Sequence, residues 1–277
     1  MRFPALVLTV ALCAILPSAA AAVDEALASA DRAFTHAVAQ RQASALTSLL
    51  DRDFTWTDAS GKTLDAGQVT RALPTAAIAD EARAAHKQYD YPEVAVMQID
   101  EGRLHGLRVW VKRPAGWRLL VVQEVRSLEA PPTVTPGTGK TCENPCGGVP
   151  YQPQSANQRA VIAAYLGLEE AAATGNATAW SGYAADELAL VSSNSDRIFD
   201  KPTRVAAISR STLGGVAPTR LLTARMFDFT DAVVMTSDHQ PDRGDPLHIT
   251  RVWVKRAGAW VETLSYQTAI RSAAGAR

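Results

Sequence analysis

The chain has 277 residues, and its Lys+Arg 28 balance its Asp+Glu 28. A surface that tracks phosphates needs clustered cations, and no basic run occurs, so no nucleic-acid partner is expected. At about 100–200 residues per domain, the length allows one or two domains.

In chain order, Met1-Arg2 precedes an apolar run from Phe3 to Leu16, then Pro17-Ser18 and the small residues Ala19 to Ala22. One early charge, a short apolar core and an A-x-A ending predict a signal peptide over residues 1–22, with a periplasmic or secreted product. The core falls short of the about 20 apolar residues a span needs, and no later stretch reaches it, so no membrane association is expected after cleavage.

Leu27, Ala30, Phe34 and Val38, then Leu46, Leu49 and Leu50, recur at three- and four-residue spacing and predict amphipathic helices. Phe54-Thr-Trp-Thr-Asp58 alternates at period two into Ser60-Gly61, a strand entering a turn. A short helix follows near Ala66 to Leu73. Strands are then predicted over 93–99, 105–112 and 117–125, with Pro114-Ala-Gly116 as a hairpin turn. Helices first and strands afterwards is the α+β pattern.

Residues 130–153 are rich in Pro, Gly and Thr and read as a linker. It carries Cys142 and Cys146, the two cysteines that survive export. In an oxidising compartment their default is a disulfide closing a tight turn. So small a ring adds roughly 2 kcal/mol at most, enough to staple a linker but not a core.

Beyond the linker the chain repeats itself. Leu104-His-Gly-Leu-Arg-Val-Trp-Val-Lys-Arg113 returns as Leu247-His-Ile-Thr-Arg-Val-Trp-Val-Lys-Arg256, eight identities in ten positions. Upstream, Tyr89 to Met97 matches Phe227 to Met235, and Leu27, Phe34 and Val38 match Val161, Leu168 and Ala172. Two copies of one domain follow, 23–129 and 154–277.

Asp53-Phe-Thr-Trp-Thr-Asp58, Gly61-Lys-Thr-Leu-Asp65 and Arg108 through Trp117 to Gln123 together resemble the nuclear-transport-factor-2-like superfamily. The likeness is strongest to its branch called domain of unknown function 4440, related to SnoaL-like cyclases and ketosteroid-isomerase-like proteins. The second copy keeps the order in Asp186 to Val191, Arg197-Ile-Phe-Asp200 and Arg251 through Trp260 to Gln267. The resemblance implies two tandem cone-shaped α+β barrels, each with N-terminal helices packed on a curved antiparallel sheet around a pocket. It also implies frequent dimerisation through the outer sheet face, and functions ranging from isomerase and cyclase chemistry to binding alone, so fold does not fix function.

Alternation puts His105, Leu107, Val109 and Val111 on one face of their strand and Arg108, Trp110 and Lys112 on the other. The apolar set is expected to face the pocket, carrying His105, and His248 in the second copy. Asp58 shares a face with Phe54 and Trp56, and an aspartate beside apolar walls suits general-base duty, with His105 as its acid–base partner. Asp58 equally suits a turn that bonds its own backbone, and His105 a structural role. Ser192 stands at the position of Asp58. Gln123 and Gln267, taken as counterparts, and Tyr266, opposite Val122, are candidate polar groups of the two pockets. The base and oxyanion donors of ketosteroid isomerases do not occur together in either copy.

No cofactor motif is present, so no cofactor is expected. No metal is expected either, and His239 reads as part of a solvated polar loop. Trp110 and Trp253, on the faces opposite the histidines, are expected to meet as the two copies pack sheet to sheet in an intramolecular pseudo-dimer. The functional expectation is a small, largely apolar ligand held in a cone-shaped pocket. The alternatives are a proton-transfer isomerase, cyclase or hydratase using Asp58 and His105, and a structural or interaction module.

Overall fold

The structure is a computed structural model that describes residues 24–78, 81–130, 144–210, 218–241 and 244–271. The expected signal peptide and Cys142 lie outside the described residues, and the expected Cys142–Cys146 pairing with them.

Helix α1 (Glu25–Ala39) opens the first half. Asp24 caps it by accepting from the backbone N–H groups of Ala26 and Leu27, and its buried stripe is Leu27, Phe34 and Ala37. The expected second helix is only α2 (Ala43–Leu46), because Leu50 already begins β1 (Leu50–Thr57). The apolar spacing of Leu46, Leu49 and Leu50 therefore spans a helix, a turn and a strand. Next come β2 (Thr63–Asp65) and α3 (Ala66–Arg71), the latter closed by a reciprocal capping box between Asp65 and Gln68. Four strands follow: β3 (Ala85–Asp90), β4 (Val94–Glu101), β5 (Leu104–Arg113) and β6 (Gly116–Arg126). β3 was not foreseen, since its sequence AHKQYD has no apolar alternation; it is an exposed edge strand held by its ladder to β4.

The second half repeats the order with α4 (Ala156–Ala173), α5 (Ala177–Gly182), β7 (Ala184–Ser192), α6 (Lys201–Ser209), β8 (Arg220–Phe229), β9 (Ala232–Gln240), β10 (Leu247–Arg256) and β11 (Ala259–Ala269). Both sheets are unclosed, in the orders β2-β1-β6-β5-β4-β3 and β7-β11-β10-β9-β8. Each is mixed, because the first strand runs parallel to the last. The architecture is α+β in both halves, with helices against one face of each sheet.

The opposite faces of the two sheets pack on each other. Leu107, Val109 and Val111 join Val252, Val254, Leu264 and Tyr266 in one shared apolar cluster. Trp110 and Trp253 instead lie in the two helix-covered cores. The expectation that the tryptophan faces meet is thus corrected: both faces of each sheet are apolar, and alternation alone does not say which one a helix covers. Under the helices both rings find an aromatic edge, Tyr165 for Trp253 at 6.5 Å, and the Trp110 N–H also finds a carboxylate. Trp110 meets Phe34 edge-on at 6.3 Å and donates to Asp31 at 3.0 Å.

Polar contacts reinforce the join. Gln123 Nε2 donates to the carbonyls of His248 and Tyr266 and to Thr268 Oγ1, at 3.1, 3.0 and 2.9 Å. Thr268 Oγ1 in turn donates to the Glu124 carbonyl at 2.8 Å. Gly61 closes the turn after β1 with φ +85°, and a Cβ there would stand 2.4 Å from the Ala269 carbonyl oxygen. Gly61→Ala combines left-handed strain with a backbone overlap and is expected to destabilise by about 2 kcal/mol. A denaturant midpoint equal to that of the wild type would contradict this account of the turn.

Candidate functional site

In the first half a cavity of about 580 Å³ opens between α1, the sheet and the segment 74–78. Phe34, Trp56, Ile99 and Val122 are buried around its floor. Pro74, Ala76 and Ala77 form a partly exposed wall, and Arg32, His36 and Arg41 line its exposed mouth. This size and this apolar lining, broken by a few polar groups, suit a small organic ligand.

Two ionisable side chains project from the sheet. Arg108 on β5 is buried and fully engaged: it lies 2.7 Å from Asp31 and 2.6 Å from Glu81, and its guanidinium sits 5.8 Å from the Phe34 ring centre. Those carboxylates hold its pKa above the ordinary arginine value despite burial. Glu124 on β6 is only 6% exposed, and its carboxylate accepts from the Ala77 backbone N–H at 2.8 Å. Burial pushes its pKa up to about 7, with Asp58 adding to the rise; hydrogen bonds from the backbone of Ala77 and Ala59 and the charge of Arg126 pull the other way. A carboxyl that titrates at neutrality beside an apolar cavity can take or return a proton there.

Glu124 was missed in the sequence. Its signal was a lone acid in the run Leu119 to Val125, apolar but for Gln123, on the face of Val122 and opposite that glutamine. Arg108 was assigned to the face away from the pocket, and the same reversal of faces that corrected the tryptophans brings it inside.

The expected catalytic pair is not brought together. Asp58 accepts from Ser60 N, Ser60 Oγ and Lys62 N at 2.8, 2.6 and 3.1 Å, the turn-bonding arrangement. His105 shares the sheet-to-sheet face with Leu107; its Nδ1 lies 2.7 Å from Asp100 and its Nε2 2.9 Å from Ser127 Oγ. Its backbone borders the cavity while both ring nitrogens are committed elsewhere. Trp56 does line the cavity, though its buried Nε1 has no hydrogen-bond partner among the described residues.

The remaining candidates lie away from this cavity. Gln123 is consumed by the join between halves. Tyr266 is buried in the shared cluster, where burial holds its phenol well above the ordinary tyrosine value. His248 pairs with Asp238 at 2.9 Å. Ser192 accepts from the Asn194 N–H at 3.1 Å, and Gln267 donates to Ser265 at 3.2 Å. The ladder registers also revise one equivalence. Leu107 faces Gln123, and Val109 faces Val121 as Val252 faces Leu264, so the counterpart of Gln123 is Tyr266 and that of Glu124 is Gln267. The offset arises because sequence alignment matched the two glutamines by type, whereas bulge position fixes the register.

In the second half a buried charged cluster gathers around β10, the counterpart of β5. Arg251, the counterpart of Arg108, lies 3.0 Å from Glu262 and 3.4 Å from Glu169, with its guanidinium 5.0 Å from the Tyr165 ring centre. Glu262 stands where the first half has Leu119, and Glu169 where it has Thr35. Burial and the neighbouring Glu169 hold Glu262 up, at about 7, against the attraction of Arg251 and Arg204. His239 is not in a solvated loop but fully buried in β9, bonded to Ser237 Oγ at 2.9 Å, and burial with the nearby Arg251 lowers its pKa to about 3. Among the described residues, no cluster of three or more His, Cys, Asp or Glu is placed to hold a metal ion, and no helix is long and apolar enough to cross a membrane.

No protein-family model matches the chain, and no curated protein matches its sequence. Solved structures do match, and they are NTF2-like proteins, the superfamily that the residues resemble. An NTF2-like protein from Cytophaga hutchinsonii is 16% identical, covering 42% of this chain and all of its own (100%), at TM-score 0.37. One of unknown function from Silicibacter pomeroyi is 11% identical over 43% of this chain and 99% of its own, at TM-score 0.35. Another from Rhodospirillum rubrum, described as of unknown function in nutrient uptake, is 21% identical over 40% of this chain and 98% of its own, at TM-score 0.32. Each is the length of one half of this chain, and at these scores none carries its chemistry over to it.

Proposed function

We propose that this is an exported binding protein in which the first domain holds a small, largely apolar molecule and the second is a filled copy that buttresses it. Export rests on the leader-like sequence of residues 1–22, and a Cys142–Cys146 disulfide in the linker is part of the same reading. The observation that carries it is the contrast between equivalent spaces. The first domain has an open apolar cavity; where it has Leu119 and Thr35, the second carries Glu262 and Glu169, paired with Arg251 against the Tyr165 ring.

Native mass spectrometry of protein purified from its own cells tests the reading. The wild type is expected to carry a small-molecule adduct, and Ala76→Trp, which projects an indole from the partly exposed wall, is expected to lose it with little change in melting temperature. An adduct that survives in Ala76→Trp would place the ligand elsewhere.

One observation favours a second reading, proton transfer on the bound molecule. Glu124 is the buried carboxyl at the cavity whose pKa is raised to about 7, and it replaces Asp58 and His105 as the base. On that reading Glu124→Gln keeps the adduct and abolishes turnover; on the binding reading it has no turnover to lose.

A further inference from the structure

The charges around the cavity are unevenly spent. Arg108 is answered by Asp31 and Glu81. Arg32 at the mouth reaches Glu25 at 2.6 Å, but both side chains are largely exposed and the pair is weakly held. Arg41 is different. Its guanidinium donates to the carbonyls of Leu73 and Pro74 at 2.6 and 2.8 Å, and among the described residues no carboxylate pairs with it. Its full charge therefore stands at the mouth, with the exposed Arg32 and His36 on the neighbouring face of α1.

Glu124 sits at the other end of the same wall. Arg41 holds the segment at Leu73 and Pro74, and Glu124 holds it at Ala77. Ala77 is three positions after Pro74, so the two groups grip points no more than about 10 Å apart, one exposed and one buried. An ionised Glu124 repels any anion placed beside it, and in a buried site that repulsion is little screened. The cavity thus has a cationic entrance, an apolar length and an acidic far wall.

We infer that the ligand is an apolar molecule bearing a single carboxylate, seated with its carboxylate outward at Arg41 and its apolar body along Val38, Ile78 and Val122. This rests on the binding reading of the cavity and adds the ligand's charge and direction. A neutral alcohol gains only the apolar part, and an amine meets repulsion at the mouth.

Isothermal titration calorimetry of the full chain with decanoate, decanol and decylamine tests it. At about 20 mM salt, decanoate is expected to bind at least about fivefold more tightly than decanol, and the gap to close near 0.5 M salt as the entrance charge is screened. Decylamine is expected to bind most weakly. Arg41→Gln should remove the preference for decanoate while leaving decanol affinity within about twofold, and Arg41→Lys should restore much of it. Because Arg41 also braces the wall, the decanol value reports whether the cavity survives substitution: equal loss of both probes in Arg41→Gln, without recovery in Arg41→Lys, would overturn the assignment of Arg41. Decanol binding as tightly as decanoate in the wild type would overturn the inference and leave the cavity reading standing. Failure of all three probes would sink the cavity reading itself.

Discussion

Arg251→Leu is expected to destabilise the protein by about 3–5 kcal/mol, because it leaves buried Glu262 and Glu169 without their ion-pair partner, with Arg204 as the remaining cation near them. Glu262 is 2% exposed and lies 3.0 Å from the Arg251 guanidinium; Glu169 lies 3.4 Å from it. The Tyr165 ring loses a cation 5.0 Å from its centre as well. The orphaned glutamates can escape by taking up protons, so the loss should be larger at pH 8 than at pH 5. Replacing Glu169 and Glu262 by leucine in the same chain should recover part of the loss, since it removes the orphaned carboxylates, while Arg204 then stands without the two anions that act on it. Denaturant unfolding of the single and triple variants measures both effects. A single variant within about 1 kcal/mol of the wild type at pH 8 would mean the cluster is hydrated rather than sealed.

Stability is also expected to fall as pH rises through neutrality, and Glu124 is a principal cause. Its folded-state pKa, about 7, lies above its ordinary value of 4.5, so the folded chain binds its proton more tightly than the unfolded chain does. Its contribution is complete below about pH 4.5 and is lost as pH climbs through 7. A rise of that size corresponds to about 3 kcal/mol, an order-of-magnitude figure. Glu124→Gln, which cannot ionise, should flatten the curve between pH 5 and 8, with Glu262 supplying the remaining slope. If the variant kept the full wild-type slope, Glu124 would not be the buried titrating group. The same proton bears on function: a ligand that bonds the neutral carboxyl would bind better on the acid side, whereas one seated at Arg41 would not.

Much of the fold was legible because it rests on local periodicity. The pairing of Leu104 to Arg113 with Leu247 to Arg256 announced the duplication. The three- and four-residue spacing of Leu27, Ala30 and Phe34 and the alternation around Trp56 marked a helix and a strand without reference to anything distant. β3 was invisible because AHKQYD has no apolar face, and such a strand exists only through its ladder to β4. The site was legible only in part. Trp56 lines the cavity, whereas Asp58 and His105 drew attention by residue type, and each is satisfied by near neighbours.

The amino-acid sequence by itself determined two copies, their α+β order and which residues of each strand share a face, because these follow from spacing along one chain. Tertiary structure alone decided which face each helix covers, and with it that Trp110 and Arg108 lie inside while His105 lies at the join. It also decided that the first half keeps an open cavity at Glu124 and that the second buries Arg251 against Glu169 and Glu262. Both outcomes depend on which side chains meet across space, and two apolar faces on one strand carry no local signal to tell them apart.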